Sequence, residues 1–155
     1  MSKFINISNI RRDDQKRVME KIATEKHCPF CSENIAKYHK KPIIKEGKYW
    51  ILTDNQWPYE KVNNQLLAIH KTHIEHLSEM DPEAGIELIE LFKDECNNRN
   101  IPGGGLVMRF GSNPEHGTFG NSVLHLHAHL IEPNLDALDD DESWKFSLGK
   151  GKHHK

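Results

Sequence analysis

Three histidines stand two residues apart in Leu124-His125-Leu126-His127-Ala128-His129-Leu130-Ile131. Strand side chains alternate between faces, so this spacing predicts that His125, His127 and His129 share one face while Leu124, Leu126, Ala128 and Leu130 turn into the core. Such a face has three uses: a solvated polar surface, metal ligation, or nucleophilic and acid–base work at neutral pH. A surface needing only polarity takes Thr or Lys as readily, which favours the two chemical uses. Immediately upstream, Gly117-Thr118-Phe119-Gly120-Asn121-Ser122 supplies backbone N–H groups, glycine freedom and a hydroxyl. Beside a histidine strand this is a candidate phosphate cradle.

A second chemical spacing is Cys28-Pro29-Phe30-Cys31. Two thiolates this close can meet one tetrahedral ion, and the chain has imidazoles to spare, so a zinc half-site leads. A glutaredoxin-like redox pair is the second reading. It should follow a strand and open a helix in a βαβ unit, whereas here a charged helix precedes it. Two inert buried thiols are the third. The total of three cysteines is odd and argues against a disulfide framework. Cys96 falls on the apolar stripe of a helix and reads as buried.

These groups need elements to hold them. Ile10, Val18, Met19 and Ile22 predict an amphipathic helix over 9–26, capped by Ser8. Two β-rich runs around Gly47 predict a hairpin over 43–52, followed by a polar loop over 54–64 and a third strand over 65–70. Asp81 and Pro82 are a cap and an N1 proline. The helix they start repeats Ile86, Ile89, Phe92 and Cys96 and stops in 97–100. Fourth and fifth strands are expected over 106–110 and 123–131. Short connections between many strands predict an α+β domain: a five-stranded antiparallel sheet with helices packed on one face.

The 155 residues fit a single domain, 1–155, with a core of its own. Lys and Arg number 21 against 23 Asp and Glu, for a net charge of −2, which excludes a broad basic field for nucleic acid. The outlier is histidine, with 11 copies. No apolar run is long enough to span a bilayer, and the first residues lack the apolar core of a signal peptide, so a cytoplasmic protein without a membrane partner is expected. The tail over 134–155 holds an acidic run at 139–142 and a basic end at 150–155, and both read as solvated.

The motifs together resemble the histidine-triad superfamily. His125-Leu126-His127-Ala128-His129-Leu130-Ile131 fits its alternating signature except for the small Ala128, and Gly120-Asn121-Ser122-Val123 is similar to the family's Gly-Gln-Ser-Val. The segment 66–77 looks like its Pro-Lys-x-His region, and Cys28-x-Phe-Cys31 like its N-terminal cysteine pair. The match spans residues 28–133.

The resemblance implies a nucleotide hydrolase or nucleotidyl transferase that cleaves a nucleoside phosphate conjugate, of dinucleoside polyphosphate or phosphoramidate type. His127 is then the nucleophile, His129 the contact to phosphate or leaving group, and Ser122 a hydrogen-bond donor. Gly120 and Asn121 belong to the nucleotide-binding loop. It further implies a structural zinc on Cys28, Cys31, His73 and His125, a small-molecule nucleotide as partner, and a homodimer. Asp54 resembles the family acid that holds ribose hydroxyls. Arg109 stands near a position where relatives place asparagine, and a guanidinium suits phosphate better. Two departures matter. Gln65 replaces a further histidine and is expected to orient His127, and His70 replaces the proline of Pro-Lys-x-His. His27, His39, His76 and His116 read as surface residues, and His153 and His154 as part of the tail. Two other functions stay open: a zinc-stabilised nucleotide-binding protein with little catalysis, and a glutaredoxin-like protein.

Overall fold

Alternation along the strands sorts the core into two sides. In the computed structural model, which describes residues 4–149, Trp50, Leu52, Leu66, Ala68, Leu126, Ala128 and Leu130 bury against one helix, and Ile51, Leu67 and Ile69 bury on the opposite side. The strands are β1 (Ile43–Glu46), β2 (Trp50–Asp54), β3 (Val62–His70), β4 (Gly105–Arg109) and β7 (His127–Pro133), with β5 (Ser112–Asn113) and β6 (Gly117–Thr118) forming a separate two-residue hairpin. The main sheet is five-stranded and antiparallel in the order β1-β2-β3-β7-β4. The expected α+β architecture holds.

The helices are α1 (Asp13–Glu25), α2 (Ser32–Tyr38) and α3 (Pro82–Asn98). Helix α3 begins where expected: the Asp81 carboxylate accepts from Glu83 N–H at 2.9 Å, with Pro82 in the first turn. Its buried face is Ala84, Leu88, Leu91, Phe92 and Glu95. Ile86 and Ile89, expected on the apolar stripe, are 63% and 53% exposed. The β1–β2 turn decides which residues turn inward. The Glu87 carboxylate accepts the backbone N–H groups of Lys48, Tyr49 and Trp50 at 2.7–2.9 Å, and Trp50 donates its indole N–H to Ala84 O at 2.7 Å. Those bonds rotate Leu88 and Phe92 inward.

Helix α1 starts at Asp13, not 9, and Ser8 does not cap it. Ser8 lies in a 3-10 turn, Ile7–Asn9, capped by Asn6, while Asp13 and Asp14 in the first turn of α1 favour its dipole. The short helix α2 is an element the sequence reading lacked. Its Ile35 packs on Ile51, Leu67 and Ile69, so helical cover extends to the second side of the sheet. Residues 4–6 run beside 122–124, where Asn6 N–H donates to Ser122 O and Leu124 N–H to Phe4 O, both at 2.9 Å.

Candidate active site and metal cluster

Cross-strand register places the candidate site on the α2 side of the sheet. His129 lies opposite Leu67 and Val107, and His127 opposite Ile69 and Arg109. Directly opposed residues share a face. The strand holding the triad is shorter than expected, since His125 sits in the bend before β7 and only His127 and His129 are on it. Leu124, expected in the core, is half-buried. All three imidazoles are buried, and Phe30 meets His125 and His127 edge-on.

Hydrogen bonds fix the proton on each ring. His127 donates Nδ1–H to the backbone carbonyl of His125 at 2.7 Å, which leaves the Nε2 lone pair unprotonated. Burial pushes its pKa down to about 4, so it is neutral and nucleophilic at pH 7. The tautomer of His129 is set from the backbone. Tyr59 N–H donates to Gln65 Oε1 at 2.6 Å, so the amide nitrogen of Gln65 faces His129 Nδ1, at 3.2 Å, and donates to it. The proton of neutral His129 then resides on Nε2. Burial, with His127, Arg109 and Arg11 adding to it, holds His129 well below its ordinary value of 6.5. Gln65 was expected to orient His127. It orients His129 instead, because on the shared face it lies two residues from Leu67, the partner of His129.

His127 and His129 open into a cavity of about 490 Å³ that Ser122, Asn121, Gly120 and Arg109 also line. Gly120 has φ +105°, and a Cβ there would lie 2.8 Å from Arg109 Nε, so this position requires glycine. The side-chain carbonyl of Asn121 is buried without a hydrogen-bond partner among the described residues. Asp54 is not a wall of the cavity, which corrects its expected ribose role. It pairs in register with Leu66 on the α3 side, where Arg99 holds both its oxygens at 2.7 and 3.3 Å. One residue further, Asn55 does line the cavity, as do Gln56, Trp57 and Tyr59.

The sequence reading missed three other walls. Arg11 and Gln15, at and after the entry to α1, line the cavity, and so does His39, read as a surface residue, whose Nε2 lies 2.7 Å from Thr53 Oγ1. The tail is the third. Asp139, Asp140 and Asp141 are exposed, but Trp144 donates its indole N–H to Glu60 O at 3.1 Å, Ser147 O accepts from Arg109 at 2.6 and 3.1 Å, and Gly149 N–H donates to Phe119 O at 3.0 Å. Residues 143–149 are therefore a strap along the cavity, and the basic end at 150–155 lies outside the described residues. His153 and His154 lie outside the described residues. Of the remaining histidines, His76 caps the 3-10 turn Leu77–Glu79 and His116 is exposed.

Behind the triad, Cys28, Cys31, His73 and His125 bring their ligand atoms within 4.8 Å of one another. Cys28 Sγ lies 3.4 Å from His125 Nδ1, Cys31 Sγ 3.5 Å from His73 Nδ1 and 3.9 Å from His125 Nδ1, and the two Nδ1 atoms are 3.1 Å apart. A tetrahedral zinc with ordinary Zn–S and Zn–N bonds has ligand–ligand edges of about 3.3 to 3.8 Å. The donor set fits that ion. Each histidine also presents its free nitrogen correctly: His125 Nε2 donates to His70 O at 2.5 Å and His73 Nε2 to Glu75 Oε1 at 3.2 Å, leaving both Nδ1 atoms as donors to a metal. Burial pushes the Cys28 thiol up to about 12. Such a thiol is inert as a redox nucleophile at neutral pH unless a cation deprotonates it.

No family model matches the chain, and no curated protein sequence matches it. Solved structures do. A HIT (histidine triad) family hydrolase from Clostridium thermocellum aligns over 75% of this chain and 97% of its own, at 23% identity and TM-score 0.52. A zinc-bound histidine triad family protein from Mycobacterium smegmatis aligns over 73% and 80%, at 19% identity and TM-score 0.53. A hypothetical histidine triad nucleotide-binding protein from Sulfolobus tokodaii aligns over 81% and 82%, at 23% identity and TM-score 0.51. The sheet order, the buried imidazoles and these likenesses agree: the chain has the fold of the histidine-triad superfamily.

Proposed function

We propose that the protein cleaves a nucleoside phosphate conjugate through a nucleotidyl-histidine intermediate. The observation that carries this reading is the paired tautomer of the triad, an unprotonated Nε2 on His127 beside an Nε2–H on His129. His127 Nε2 attacks the α-phosphorus, forming an N–P bond as the bond to the leaving group breaks. The His125 carbonyl then stabilises the positive imidazole through Nδ1–H. His129 donates from Nε2 to a phosphoryl oxygen or to the leaving group, and Ser122, Gly120 and Asn121 face the phosphate. Water attacks phosphorus in the second half, the N–P bond breaks, and nucleotide and a proton leave.

Cys28, Cys31, His73 and His125 would hold zinc as a structural ion, since all four ligand positions would be filled by the chain itself. That same closure disfavours the redox reading. A cytoplasmic homodimer completes the proposal: β4 is a free edge of the sheet and carries Leu106, 53% exposed. No helix among the described residues is long and apolar enough to cross a membrane.

His127→Ala tests the mechanism. Turnover of dinucleoside polyphosphates and nucleoside phosphoramidates should fall at least a thousandfold, zinc content should persist, and labelled nucleotide should be trapped on the unsubstituted protein. Full activity in the alanine variant overturns the mechanism. Nucleotide binding by the unsubstituted protein with no turnover of any conjugate favours a binding protein.

A further inference from the structure

We propose that Arg11 and Arg109, held by one tyrosine beside the triad, form a second anion subsite that takes a phosphate of the leaving group. This rests on the hydrolase reading and narrows it to conjugates that carry phosphate beyond the atom attacked.

Tyr59 is the hub. The Arg11 guanidinium lies over its ring, Cζ 3.5 Å from the centroid, and Arg109 Nη1 donates to its hydroxyl at 3.0 Å. The same ring meets His129 edge-on at 6.2 Å, so both cations stand one aromatic ring from the catalytic pair. Their charges reach it, since each helps hold His129 unprotonated. Arg109 is fixed from the other side by the strap: Nε and Nη2 donate to Ser147 O, and its Cζ sits 3.8 Å over the Phe146 ring. Three of its five N–H groups are thereby used, and one on each terminal nitrogen stays available.

Charge separates this pair from Arg99, at the C-terminal end of α3. Arg99 is neutralised by Asp54 and Glu95. Among the described residues no carboxylate lies within ion-pairing distance of Arg11, Arg109 or Lys145, although all three line the cavity. Glu60 acts on Arg11 only at longer range. A cavity already equipped with donors for one phosphate thus carries three unneutralised cations next to it. Guanidinium forks match phosphate oxygens and gain nothing from a neutral amine leaving group.

Binding calorimetry on the His127→Ala protein, which does not consume ligand, compares inorganic pyrophosphate with inorganic phosphate and ADP with AMP. The diphosphate member of each pair should bind at least tenfold tighter, and Arg11→Gln should cut that ratio below threefold. Arg109→Lys, which keeps charge but loses the fork, should reduce it as well. Equal binding of mono- and diphosphates, or a ratio that survives both substitutions, overturns the subsite. Failure of the hydrolase reading shows separately, as absent turnover by the unsubstituted protein, while the diphosphate ratio still decides the subsite.

Discussion

At the residue scale, hydrogen bonds in the candidate site place the ring protons of His127 and His129. Gln65 transmits the orientation of one backbone N–H, that of Tyr59, to the ring of His129. Gln65→Leu keeps volume and burial but frees the tautomer, so kcat should fall about ten- to a hundredfold, with zinc content and Tm nearly unchanged. Steady-state kinetics with metal analysis checks this, and an unaltered kcat would remove Gln65 from the mechanism. The pH dependence follows from the same burial. In the proposed mechanism neutral His129 is the working form, and its pKa lies well below 6.5, so protonation reaches it only when pH falls far beneath that value. The kcat/KM profile should therefore be flat from pH 8 through 6.5 and decline only in more acid solution. An acid limb centred at 6.5 would contradict it. Much of this site was legible in sequence, because alternation puts His127 and His129 on one face whatever surrounds them. Gln65 was legible as a neighbour but not as the partner of His129, since the choice depends on cross-strand register.

Elements decide what the residues face. On α3 spacing alone cannot rank Ile86 and Ile89 against Leu88 and Leu91 as companions of the buried Phe92. Contacts from the β1–β2 turn to Glu87 and from Trp50 to Ala84 select Leu88 and Leu91. Phe92→Ala should thus cost about 3–5 kcal/mol, whereas Ile86→Glu should stay within about 0.5 kcal/mol. Urea denaturation of both variants tests the assignment, and a large loss at Ile86 would refute it. Asp54 fell to the same logic. A shift of one residue along a strand exchanges faces, which gave Asp54 to Arg99 and its neighbour Asn55 to the cavity. Arg11 and the strap were invisible in sequence for a different reason: both reach the site from the ends of the chain, and no local pattern encodes that distance.

For the whole molecule, the Cys28, Cys31, His73 and His125 cluster joins the α1–α2 segment to the sheet. Cys28 also packs with Met19, Ile22 and Tyr38, whereas β3 and β7 are held by ladders on both sides. Chelation of the proposed zinc should therefore loosen residues 13–38 first. Hydrogen exchange should show their amides losing protection while β3 and β7 retain it, together with a lower Tm. Uniform loss across the chain, or none, would speak against a joining role. Cys28, Cys31, His73 and His125 were readable as one tetrahedral set only through the family resemblance, because 97 residues separate Cys28 from His125. That separation also orders events during synthesis. The cysteines emerge early on the growing chain and His73 follows, yet the fourth donor, His125, arrives just two residues ahead of His127, the proposed nucleophile. A nascent chain can offer the proposed zinc three donors at most until β7 is made, so full coordination and placement of His127 would mature together.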